Sequence, residues 1–197
     1  MKKSITGILI ILITGIATAQ KGKVLEGKWK SLSNIERFDL EFDYSEVIVD
    51  DFETEEDYIQ QKIKEKEADE PGQGAIWRKK YFADREAHYE PKFIESFNKR
   101  GDWKAGKDFD DSEYILKVHT TFLYHGWNVG VMRKAARIDA IISVYKRGES
   151  SPLFKVKYDN VKGADAMGYD FAIHSRVAEG YAKLAKSFLK DVKKKAK

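Results

Sequence analysis

The sequence predicts an α+β domain: a two-layer sandwich in which one mixed or mainly antiparallel sheet of four to five strands carries helices on one face, in the order β-α-α-β-β-β-α. Three observations lead there. An alternating apolar–acidic segment is followed by a stretch with helical spacing. Three strand-like segments then follow one another without a helix between them. A long amphipathic segment closes the chain.

Residues 1–19 read as a cleavable secretory signal peptide. Lys2 and Lys3 form the positive start, Ile8 to Ile13 lie at the heart of an apolar stretch, and Ala17-Thr18-Ala19 has the small-x-small pattern that signal peptidase accepts. Cleavage after Ala19 leaves Gln20 first. An uncleaved anchor is the rival, but Thr14 and Gly15 break the apolar run short of the roughly 20 residues that cross a bilayer. A periplasmic or secreted protein is expected, with no stable membrane insertion once the segment is removed.

The chain has no cysteine. Disulfides, thiol catalysis, cysteine-ligated zinc and lipid attachment through a lipobox are therefore excluded. The net charge of +4 falls by two when Lys2 and Lys3 leave. A near-neutral body with a basic tail does not favour nucleic acid as a partner.

Residues 20–35 are polar and Gly-rich, a flexible lead-in or an edge strand, and residues 36–193 form the single domain. Phe38 to Tyr44 alternates apolar and acidic side chains as a half-buried strand does, and Val47-Ile48-Val49 continues it or begins a short strand after a turn near Ser45. Thr54 caps a helix whose first turn holds Glu55, Glu56 and Asp57, and Pro71-Gly72 ends it. A second helical region runs from about Ala75 to Arg100 as two helices. Ile76, Trp77, Tyr81 and Phe82 mark one; Phe93, Ile94 and Phe97 mark the other, with Pro91 in its first turn and Gly101 at its close.

Tyr114 to Phe122 places Tyr114, Leu116, Val118, Thr120 and Phe122 on one strand face. Arg137 to Lys146 places Ile138, Ala140, Ile142 and Val144 on one face, and Leu153 to Tyr158 follows after a turn at Gly148 to Pro152. With no helix between them, these strands pair most simply as an antiparallel meander. Ile173, Val177, Tyr181, Leu184, Phe188 and Val192 then define a helix from about Asp170 to Lys193, leaving residues 194–197 as a basic tail.

No catalytic residue can be named: there is no nucleophile elbow, phosphate loop or nucleophile with an identifiable partner. No cofactor and no metal site are expected. His88, His119, His125 and His174 are scattered, and none has a second histidine at zinc-site helical spacing. Asp108 to Glu113 resembles the start of a calcium loop but lacks its sixth-position glycine and twelfth-position glutamate. The candidate binding residues are Trp127, His125, Asn128 and Arg133, in a Gly-containing connection longer than a tight hairpin needs. They would meet a sugar or peptide partner; alternatively Trp127 folds back to cap the core.

The run Tyr114-Ile115-Leu116-Lys117-Val118, then Gly126, then Ile138 to Tyr145, then Arg176 and Leu184-Ala185-Lys186, resembles small secreted α/β proteins of Bacteroidetes. More distantly it is similar to periplasmic lipoproteins of the curli-secretion and penicillin-binding-protein-activator type. The resemblance covers roughly Ser112 to Lys190 and implies a non-enzymatic accessory or interaction role in the cell envelope, with an envelope protein or glycan as partner. A ligand- or glycan-binding module and a hydrolase without a recognisable motif are the alternatives.

Overall fold

The computed structural model describes residues 20–128, 132–164 and 173–197. The predicted signal peptide lies outside the described residues, as does the tip of the connection that carries Trp127.

The class is α+β with a mixed sheet, and the sheet is larger than the four to five strands expected. Among the described residues its seven strands are β1 (Lys23–Glu26), β2 (Arg37–Asp43), β3 (Ile48–Val49), β4 (Lys104–Gly106), β5 (Tyr114–Tyr124), β8 (Arg137–Lys146) and β9 (Phe154–Lys162). They lie in the order β1-β9-β8-β5-β2-β4, with β3 also on β5. A separate two-stranded ribbon joins β6 (Trp127–Asn128) to β7 (Arg133–Lys134). Of the short members, β1 is the edge strand offered for the lead-in and β3 falls on the strand residues Val47 to Val49, whereas β4, with three residues, is too short for alternation to announce it.

The expected meander is present: β5, β8 and β9 pair antiparallel in succession. On the other side of β5 the pairing is parallel, with β2, and β4 adds parallel to β2 beyond it. Two parallel neighbours need a long crossover, and the helical region between β2 and β5 supplies it. It comprises α1 (Glu55–Asp69), α2 (Gln73–Asp84), a π turn (Arg85–Tyr89) and α3 (Glu90–Asn98). The last three run on without a break, where two separate helices were expected. Pro91 has no N–H to return to the preceding turn, and the π turn sits directly before it.

Alternation decides which face is buried. Leu116, Val118 and Thr120 of β5, Ala140, Ile142 and Val144 of β8, and Phe154, Val156 and Tyr158 of β9 are fully covered. Against them lies α4 (Ile173–Lys195), where Val177, Tyr181, Leu184, Phe188 and Val192 are buried. Hydrogen bonds join helix to sheet, Thr120 with Tyr181 (2.7 Å) and the Tyr158 hydroxyl to Asp191 (3.0 Å) among them. The pairing of β5 with β8 shifts between Thr120 and Phe122. That shift reverses the alternation, so Leu123 is buried and Phe122, expected inward, is only half-buried. The lead-in joins the same core: Trp29 packs 4.6 Å from Phe154, ring to ring, and Lys195 lies over its outer face.

Gly126 leaves β5 at a φ of +71°, and a Cβ there would stand 2.4 Å from the Lys134 carbonyl oxygen. Backbone atoms cannot turn aside. Gly126→Ala is therefore expected to lower stability by about 1–3 kcal/mol, read from the urea unfolding midpoint.

Candidate functional site

Polar side chains are unusually concentrated where the crossover helices meet β2 and β5. The concentration starts from a helix cap. Thr54 accepts the backbone N–H of Asp57 (3.1 Å), which fixes the first turn of α1 and with it Glu55. The Glu55 carboxylate accepts hydrogen bonds from the Tyr81 hydroxyl (2.6 Å) and from the Arg85 guanidinium. Arg85 and Glu55 are only 17% and 18% exposed, so the pair is substantially withdrawn from water. Burial opposes the charge on Arg85, and the bond to Glu55 more than restores it. The guanidinium also lies over the rings of Tyr44 (4.4 Å) and Phe82 (4.8 Å).

Tyr44 stands at the next level. Its hydroxyl is buried beside that of Tyr181 but outside hydrogen-bonding geometry, while Tyr181 bonds Thr120. Burial raises the Tyr44 pKa well above the usual phenol range, so this hydroxyl stays protonated.

This network surfaces in a cleft of about 700 Å³ between β2 and the π turn. Phe42, Tyr44 and Phe82 give its walls aromatic surface. Two ion pairs line it: Lys117 with Asp43 (2.8 Å), and Lys107 with Glu90 (2.6 Å), whose side chain is only 7% exposed. Burial works against the Asp43 carboxylate, but hydrogen bonds from Lys117 and Ser45 outweigh it and hold the pKa below the usual range. The bond to Glu90 raises the pKa of Lys107 in turn. The cleft thus presents fixed donors and acceptors between apolar rings.

The residues expected to bind are placed elsewhere: Trp127, Asn128 and Arg133 share the β6–β7 ribbon, and His125 lies outside it. His125 is buried, 5% exposed. It takes both oxygens of Asp50, at 2.9 Å through its backbone N–H and 3.0 Å through Nδ1, and stacks on Tyr58 with ring centres 5.1 Å apart. Trp127 is half-buried in the β6–β7 ribbon, paired with Lys134, whose Nζ lies 5.8 Å from the indole. Asn128 pairs with Arg133, which is exposed. Successive strand residues alternate faces, so Arg133 and Trp127 fall on opposite sides of the ribbon.

Among the described residues one group could hold a metal ion: Asp84, His88 and His174, whose ligand atoms all lie within 4.8 Å of one another. Burial, then the nearby His88, lowers the His174 pKa and favours the neutral imidazole. No spacing announces this group, because His174 comes from the far end of the chain. Nor does any motif announce the cleft. Its clearest signal is retrospective: Tyr81 and Tyr181 fall at apolar positions of their helices, and Tyr44 directly follows β2, all three carrying hydroxyls into the interior.

No protein-family model, curated protein or solved structure matches this chain.

Removing the carboxylate of Glu55 leaves Arg85 with a largely buried charge and no anion. Glu55→Ala is expected to destabilise the fold by about 2–3 kcal/mol in urea titrations. Replacing Arg85 with Leu in the same background should recover part of that loss.

Proposed function

We propose that this protein is an exported, non-enzymatic binding protein of the cell envelope, and that its cleft between β2 and the π turn takes a small hydroxyl-rich ligand of the sugar class. The observation that carries this reading is the composition of the cleft. Aromatic surfaces from Phe42, Tyr44 and Phe82 alternate with the Lys117–Asp43 and Lys107–Glu90 pairs. A sugar offers C–H faces to the rings and hydroxyls that both donate and accept. Lys117 and Lys107 are each answered by a carboxylate, so the cleft offers an anion little net attraction. A general acid would need a carboxyl held protonated, whereas Asp43 is held ionised. That favours binding over hydrolysis. Export rests on residues 1–19, and the resemblance to secreted envelope proteins points the same way.

Binding is tested by calorimetry against a panel of mono- and oligosaccharides. Lys117→Met removes one donor from the cleft wall while Asp43 keeps its hydrogen bonds from Ser45; it should weaken the best ligand by about tenfold, the worth of one hydrogen bond. Phe82→Ala should weaken it further. A panel without a single binder, or Lys117→Met and Phe82→Ala binding as the parent does, overturns the assignment. For export, N-terminal sequencing of protein recovered outside the cytoplasm should begin at Gln20; an intact Met1 counts against it.

A further inference from the structure

The Asp84, His88 and His174 group lies on the other side of the π turn from the cleft, and it has the composition of a metal centre. Asp84 is the last residue of α2, His88 belongs to the π turn, and His174 sits in the first turn of α4. In the π turn the helix winds more loosely, which keeps positions four apart close to one face. His88 Nε2 thus stands 3.6 Å from Asp84 Oδ1, near the ligand–ligand edge of a tetrahedral site with bonds of about 2.0–2.1 Å. α4 brings His174 alongside, its ring stacked on that of His88 with centres 4.2 Å apart and planes 24° apart, so that a rotation of one imidazole directs both toward a shared ion. None of the three side chains is fully exposed or fully buried, so they are held in place yet open to solvent. His88 also borders a cavity of about 620 Å³ reached between the π turn, α3 and the start of α4.

We infer that Asp84, His88 and His174 form a binding site for a first-row divalent transition metal of the zinc type. Two imidazoles and one carboxylate suit zinc, cobalt or nickel, whereas magnesium and calcium favour all-oxygen sets. Three protein ligands leave a coordination position for water, as in open zinc sites. Nothing in the sugar-binding assignment requires this centre, and each can fail alone. The strand histidine His119 does not belong to it: its Nε2 is engaged with the Ser45 carbonyl oxygen at 2.8 Å.

The test uses purified protein without a polyhistidine tag, stripped with a chelator and titrated with Co²⁺ and then Zn²⁺. Co²⁺ should give visible d–d bands of a four- or five-coordinate site, and one equivalent of Zn²⁺ should abolish them. Zn²⁺ should raise the melting temperature and Mg²⁺ should not. Asp84→Asn, His88→Gln and His174→Gln should each weaken Zn²⁺ binding at least tenfold, with His119→Gln unchanged. Circular dichroism without metal verifies that each variant is folded, and Asp84→Asn, nearly isosteric, keeps the test available if a histidine variant unfolds. Absence of cobalt bands, or Zn²⁺ affinity unaltered in all three variants, overturns the inference.

Discussion

A guanidinium largely withdrawn from water has to meet a carboxylate, and Glu55 meets Arg85 across two different helical segments. That pairing holds the start of α1 against the π turn, and much else is arranged around it. Tyr81 shares the same carboxylate, while Tyr44 and Phe82 lie beneath the cation. Without the pair, the crossover would bury a charge instead of sealing the sheet. With it, polar groups run from the interior of the domain out to the cleft, and their bonds set the positions of the cleft walls.

The remainder of the domain rests mainly on packing, since a cysteine-free chain has no disulfides to draw on. The stacked rings of Phe93 and Phe97 continue to Phe188, and Tyr89 lies flat on Tyr181. These contacts tie α3, the π turn and α4 into one layer over the sheet. Strand β5 serves as the common reference, pairing parallel on one side and antiparallel on the other. A displacement of β5 would be felt by the helices through Thr120 and Tyr181.

Much of the fold was legible because periodicity reports burial. Phe38 and Leu40, the stripe of α4, and the β5–β8–β9 meander could all be read from spacing. Periodicity says nothing about neighbours, however, so the parallel partnership of β2 with β5 was not readable. Neither was the bulge that turns Leu123 inward, since one extra residue in a strand has no compositional mark. At the candidate sites the gap is wider. His125 sits beside glycine in what reads as a loop, but the aspartate that holds it is Asp50, on another strand's exit, in a left-handed conformation (φ 52°). Tyr44, Arg85 and Lys107 likewise converge from distant segments, and single-chain spacing records only local proximity.

The π turn has a consequence for how the domain could change over time. It is a matter of helix phase. Each residue added to or removed from a helix rotates everything beyond it by about 100°. Arg85, on the cleft side, and His88, on the histidine side, both belong to this short turn, and Glu90 follows it directly. A one-residue deletion inside it would restore regular winding while turning α3 away from one of its two neighbours. Substitutions at either face can be accommodated one at a time, but the length of this segment cannot drift.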